Sequence, residues 1–143
     1  MTAPAGYSGT PLLKKLGVRP GATVLAIDPP PGFDETLGPL PDGAVLRGVA
    51  DHTVAALGAG DPVLVFVTER ARLEVLVPIL REAIAPDRAA WICWPKKASK
   101  VPTDITEDVI RAVVLSTGLV DVKVCAVDAT WSGLRLVVRN ELR

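Results

Sequence analysis

Between residues 94 and 104 the chain reads "WPKKASKVPTD", which places Lys96, Lys97 and Lys100 around Ser99, with a proline on each side. Three ammonium groups and a hydroxyl in so short a span suit a carboxylate or phosphate. The fit improves when a helix begins a few residues later and turns its free amides the same way. A solvated basic loop has the same composition, so the chemistry depends on what positions the loop. A lysine desolvated against tryptophan would serve as a base or Schiff-base amine, but no residue pattern here demonstrates desolvation. Other polar groups gather similarly. Asp28 and Phe33 flank "PPPG", Thr68, Glu69 and Arg70 follow an apolar run, and Asp128, Thr130, Trp131 and Ser132 occupy the stretch "DATWSG". Trp94 and Trp131, each beside donor-rich residues, are candidates for a stacking wall. Tyr7, Ser8 and Thr10 supply further hydroxyls near the start of the chain. His52 beside Asp51 is either an acid–base pair or a surface turn.

Several chemistries lack their residues. One histidine and no serine in a nucleophile-elbow context leave a Ser-His-Asp hydrolase unsupported, and there is no Walker motif. Cys93 and Cys125 lie in apolar runs without metal-ligand spacing, which fits reduced core thiols and no metal. Sixteen basic residues balance sixteen acidic ones. No global field therefore draws the chain to nucleic acid or to an anionic membrane. No apolar run reaches the roughly 20 residues of a membrane span, and "MTAPAGYSGTP" has no secretory pattern, so a cytoplasmic protein is expected.

The elements that must hold these groups are legible in outline. A length of 143 residues, 49% of them hydrophobic, suits a single domain over the whole of 1–143. "SGTPLLKKLG" has the punctuation of a short helix, with Thr10 as cap, Pro11 at the first turn and Gly17 as stop. The runs at 22–28, 62–68 and 89–94 are short, β-branched and apolar at both parities, as in strands covered on both faces. Between the latter two, Leu73, Leu76, Leu80, Ala83 and Ile84 form a helical stripe that Pro78 should kink or split. A second helix is expected over 105–117, with Asp104 and Glu107 at capping-box spacing and Gly118 as terminator. Residues 120–127 and 134–139 alternate more clearly, as strands nearer a sheet edge, joined by "DATWSG" as an antiparallel hairpin. In 33–61, "FDETLGPLPDG" reads as short helix and loop, "AVLRGVA" as a strand and "HTVAALGAG" as a turn of helix.

This alternation predicts an α/β, three-layer Rossmann-like architecture, with a mainly parallel sheet, helices on both faces and a C-terminal antiparallel hairpin. The layout resembles class I methyltransferases. "LGAGDPVLVFV" is similar to their fourth strand, "IAPDRAAWICWPK" to their fifth and "TGLVDVKVCAVDATWSGLRLVVR" to their closing hairpin. Their first strand ends in a glycine-rich turn whose amides meet the cofactor, whereas here the turn is "DPPPGF", with three residues that have no amide hydrogen. Asp51 falls where such folds keep a ribose-binding acid. At whole-chain level the sequence also resembles a family of small, largely actinobacterial proteins of unknown function, on "GYSGTPLLKKLG", "PPGF", "WPKKASK", "TDITEDVIR" and "DVKVCAVDATWSGLRLVVR". That resemblance implies a single cytoplasmic domain and transfers no catalytic residue.

In open parallel sheets ligands bind beyond the carboxyl ends of the strands. The expected ligand-binding set is therefore Asp28, Phe33, Thr68, Arg70, Trp94, Lys96, Lys97, Ser99, Lys100 and Trp131, holding a small anionic ligand or a partner's acidic segment. No cofactor and no reaction follow from these residues. Two other readings stay open: a small-molecule S-adenosylmethionine-dependent methyltransferase with an altered cofactor loop, and an interaction protein or homodimer using the edge of its C-terminal hairpin.

Overall fold

Six strands form one sheet in the order β2-β1-β3-β4-β6-β5. The computed structural model describes residues 11–50, 52–84 and 88–139; Tyr7, Ser8, Thr10 and Asp51 lie outside them. The first four strands are β1 (Thr23–Ile27), β2 (Val45–Gly48), β3 (Val63–Phe66) and β4 (Ala90–Pro95), all mutually parallel. β5 (Leu119–Ala126) and β6 (Trp131–Val138) form the hairpin, and β6 pairs antiparallel with both β4 and β5. This is the mixed α/β architecture expected from the sequence. The stretches resembling a fourth and fifth strand are β3 and β4, so the first half has one strand fewer than the methyltransferase layout, among the described residues.

β3 and β4 are buried throughout and β1 is buried beyond Thr23, as apolar residues at both parities require. One face packs under α3 (Val54–Leu57), α4 (Arg70–Ala83) and α5 (Glu107–Val114), through Leu57, Leu73, Leu76, Leu80, Ile110 and Val114. The other packs under two five-residue helices, α1 (Leu12–Leu16) and α2 (Phe33–Leu37). Gly17 ends α1 at φ 80°, the left-handed stop read from the sequence. Trp91 and Trp94 sit on opposite faces: Trp91 is fully buried beneath α1, with its indole N–H donating to the Leu16 carbonyl at 3.3 Å, and Trp94 belongs to the core under α4 and α5.

Three local expectations are corrected. Pro78 does not split α4, which runs continuously from Arg70 to Ala83. Pro78 lies on the exposed face, where water can satisfy the Glu74 carbonyl that loses its partner. Asp104 does not cap α5. Thr106 does, its hydroxyl accepting from the Val109 amide at 3.2 Å. Asp104 instead accepts from the Arg70 amide at 2.7 Å, satisfying a free donor in the first turn of α4. The hairpin link is also shorter than "DATWSG", since β6 already begins at Trp131. Asp128 closes that turn by accepting from the amides of both Thr130 and Trp131 at 2.8 Å. Of the two hairpin strands only β5 lies at an edge, where Val122 and Val124 are half exposed beside an irregularity in register.

Candidate functional site at the carboxyl edge of the sheet

The chain leaves β1 toward β2 on one side and then crosses back to β3 on the other, so the switch point lies between β1 and β3. Because β6 runs against β4, pairing Pro95 with Trp131, the 127–130 turn sits at this same end of the sheet. The loops after β1, β3 and β4 and the hairpin turn therefore share one rim.

At the switch point itself, an ion pair bridges the two sides. Asp28, at φ 51°, holds a left-handed conformation that aspartate tolerates better than most residues. Its Oδ2 accepts from Arg72 Nη2 at 2.8 Å and Nε at 3.1 Å. Arg72 stands in the first turn of α4, and its Nη2 also lies 3.4 Å from His52 Nδ1, while His52 Nε2 lies 3.3 Å from the Val49 carbonyl. A tautomer with the proton on Nε2 satisfies both contacts at once: the ring donates to Val49 and accepts from Arg72. His52 is thus engaged by Arg72, a residue the sequence reading had not singled out. The nearest signal was its place one turn into a helix at a strand end; its partner lies 44 positions away.

Beyond β3, the polar residues are spent on holding loops together. Thr103 donates its hydroxyl to the Thr68 carbonyl at 2.6 Å and accepts from the Ile105 amide at 3.1 Å, while Asp104 takes the Arg70 amide. The Arg70 guanidinium pairs with Glu74 at 3.6 Å across one exposed helical turn. Such pairs stabilise a helix by a few tenths of a kcal/mol.

Beyond β4, the lysine loop is fixed by its backbone. The Lys96 amide donates to the Thr130 carbonyl at 2.7 Å, Ser99 donates its hydroxyl to the Lys96 carbonyl at 2.6 Å, and Val101 donates back to Ser99 Oγ at 3.3 Å. A single turn of 3₁₀ helix spans Lys97–Ser99, and Lys100 follows it at φ 61°. Lys97 and Lys100 are exposed and Lys96 is partly so. No carboxylate among the described residues forms an ion pair with any of the three. Ser99 is therefore a structural clamp on the loop, and the lysines are the part of it that faces outward.

The aromatic candidates divide between the faces. Phe33, Phe66 and Trp131 make a row of edge-on contacts, with centroids 4.8 and 5.2 Å apart. Phe33 is buried and Trp131 half buried. Trp94 belongs to the opposite core, so Trp94 and Trp131 do not form one wall.

The thiols belong to the second face too. Cys93 and Cys125 are both opposite Gly133, on either side of β6. Two strand spacings put their Cα atoms about 9.5 Å apart, beyond disulfide reach. Both thiols are free. Burial pushes Cys93 well above its ordinary value, reinforced by Cys125 and Asp128, and burial also raises Cys125 against the opposing influence of Lys15 and Lys123. A pKa raised in the folded state means that the native chain holds the proton longer than the unfolded one. Its stabilising contribution is thus complete below the unfolded value of about 8.5 and is lost as pH rises toward the native value. The stability gap between wild type and Cys93→Ala, measured by urea unfolding, should narrow as pH is raised from neutrality into the alkaline range. A constant gap would contradict the assignment.

No family model matches the chain, and no curated protein matches it, so the resemblance to the small actinobacterial family rests on its motifs alone. Solved structures do match. A SAM-dependent methyltransferase from Aquifex aeolicus superposes with a TM-score of 0.59 at 16% identity, covering 90% of this chain and 88% of that one. The fibrillarin pre-rRNA processing protein of Methanococcus jannaschii gives 0.57 at 9% identity, over 90% and 69% of the two chains. Aeropyrum pernix fibrillarin, in complex with natively bound S-adenosyl-L-methionine, gives 0.53 at 13% identity, over 92% and 70%. At these identities the similarity establishes a class I methyltransferase-like Rossmann fold.

The residues at the switch point do not fit that cofactor as a glycine-rich turn would. Pro29, Pro30 and Pro31 offer no amide donors, and Gly32 alone supplies one before Phe33, whose own amide is taken by the Pro30 carbonyl at 3.1 Å. The Asp28 carboxylate, moreover, is already committed to Arg72 across the crevice.

Proposed function

We propose that this protein binds a small anionic molecule at the carboxyl edge of its sheet, through Lys96, Lys97 and Lys100. The observation that carries the reading is a lysine loop held by its own backbone bonds with no acidic partner among the described residues. A backbone already held in place has little freedom to lose when an anion arrives. Trp131, three residues past Asp128 at the start of β6, offers a half-buried ring at the same end of the sheet. Asp28, Phe33, Thr68 and Arg70 serve this reading as the frame of the rim. An acidic segment of a partner protein would meet the same charges. Free thiols and the absence, among the described residues, of a helix able to cross a membrane are consistent with a cytoplasmic protein.

The test is thermal stabilisation by pyrophosphate and citrate at constant ionic strength. The wild-type chain should be stabilised in a saturable way by at least one of them. Replacing Lys96 and Lys97 by alanine should abolish the shift. Equal shifts in both proteins would remove the loop from the site.

The fold favours a second reading, a methyltransferase whose altered loop holds S-adenosylmethionine through side chains. Including S-adenosylmethionine in the same titration separates the two, and no stabilisation at millimolar cofactor would end this alternative. Self-association through the β5 edge is supported by the exposed Val122 and Val124. A monomer mass at every concentration would exclude it.

A further inference from the structure

A second candidate site lies at the opposite end of the sheet from the lysine loop. A cleft of about 340 Å³ lies where β1 and β3 begin, between the α1–β1 loop and the residues leading into β3 and β4. Arg19, Pro20, Gly21, Ala59, Asp61 and Arg88 are among the residues that line it. This volume falls within the range of small-molecule sites.

Its walls are built rather than incidental. Gly21, at φ 78°, donates its amide to the Asp42 carbonyl at 2.8 Å, and a Cβ on Gly43 would stand only 3.4 Å from Gly21 Cα, so two backbone segments touch behind the cleft. The Ala22 amide returns to the Arg19 carbonyl at 3.1 Å, and the Asp61 amide donates to the Thr23 carbonyl at 2.9 Å. These bonds leave the loop little freedom. Arg88 is partly buried and anchored by Nη1, which donates to the Gly58 carbonyl at 2.9 Å, so one end of its guanidinium is fixed.

The side-chain charges of this cleft are not satisfied by one another. The Arg19 side chain has no hydrogen bond or ion pair, the Asp61 side chain has no partner, and Arg88 makes no ion pair, each among the described residues. Two arginines and one aspartate thus line one space with no ion pair among them. Planar guanidinium groups are suited to carboxylate and phosphate oxygens. A bare anion would also meet Asp61, whereas a molecule with an ammonium group beside its oxyanion would answer all three charges.

We propose that this amino-edge cleft is a binding site for a small zwitterion carrying a phosphate or carboxylate group and an ammonium group, the oxyanion against Arg19 and Arg88 and the ammonium against Asp61. The site is independent of the lysine loop and does not rest on the function proposed for that loop.

Heteronuclear NMR titration of the full chain at constant ionic strength tests it, with inorganic phosphate and O-phosphoethanolamine as probes. O-Phosphoethanolamine should give saturable shifts at the Gly21, Ala22 and Thr23 amides and should bind more tightly than inorganic phosphate. Arg19→Ala, a change at an exposed side chain without partners, should weaken binding about tenfold, the scale of one charge-assisted hydrogen bond. Asp61→Asn should remove the preference for O-phosphoethanolamine over phosphate. Replacing Lys96 and Lys97 by alanine should leave these shifts unchanged, which separates this site from the lysine loop. Shifts that do not saturate at millimolar probe, that persist undiminished in Arg19→Ala, or that vanish with the lysine substitutions would overturn the proposal.

Discussion

Trp91→Ala should destabilise the chain by about 3–5 kcal/mol, the cost of emptying a large aromatic site in a packed core. Trp91 is completely buried, and three separate contacts depend on it. Its ring covers Gly133 of β6 so closely that a Cβ there would lie 3.1 Å from Trp91 Cε3. Its indole N–H holds the Leu16 carbonyl at the end of α1. It also lies in the core shared by α1, α2 and the second face of the sheet. Because a typical domain is stable by only about 5–15 kcal/mol, the variant should lose a large part of its unfolding free energy in urea. Trp91→Phe keeps most of the ring while giving up the hydrogen bond, so it should lose much less. A loss below about 1 kcal/mol for the alanine variant would show that this face relaxes around the gap instead of depending on the ring.

Gly60→Ala is expected to cost about 1–3 kcal/mol by overpacking. The limit here is space and not backbone conformation: a Cβ at Gly60 would overlap Leu25 Cγ and stand 2.9 Å from Leu25 Cβ. Leu25 cannot readily yield, since it is buried in β1 and its strand is paired on both sides. The test is a double-mutant cycle with Leu25→Ala, which removes the overlapping atoms. The double variant should be less destabilised than the two single variants predict when added. Simple additivity would mean that the crowding is relieved elsewhere.

Both substitutions bear on strands that the sequence describes well, at Trp91 of β4 and Leu25 of β1. Apolar residues at both parities in "ATVLAID", "PVLVFVT" and "AAWICW" point to strands covered on two faces, because the runs are too short for a buried helix and are rich in β-branched and aromatic residues. Helix ends were legible wherever the signal was a backbone requirement, as at Gly17 and Gly118, which both adopt positive φ. Signals that depend on a distant partner read differently. An aspartate three residues before a glutamate looks like a capping box whether or not it faces its own helix, and Asp104 in fact serves α4, 34 positions earlier. Pro78 looked like a break because a local rule cannot tell that its residue faces water.

The candidate site divides along the same line. That the lysine loop would follow a buried strand was evident from "WICWPKK", since a strand must end where prolines and lysines begin. That Ser99 clamps the loop, and that Lys96 is tied to the hairpin turn at Thr130, depends on how β4 and β6 come together and has no local signature. The Asp28–Arg72 bridge is equally non-local. The amino-edge cleft was invisible for a further reason: Arg19, Asp61 and Arg88 come from three segments whose meeting is set by the strand order alone.

That order also has a consequence for how the chain is made. β6, the last strand described, is not an outer strand but sits between β4 and β5. During synthesis β4 therefore waits with one edge open until the residues through Val138 have emerged, and β5, made before β6, has no place in the sheet without it. A nascent chain that stalls in the hairpin exposes the apolar edge of "AWICW", the kind of unpaired strand that recruits other chains. The dependence on long-range pairing also predicts slower folding than a helical domain of this size would show.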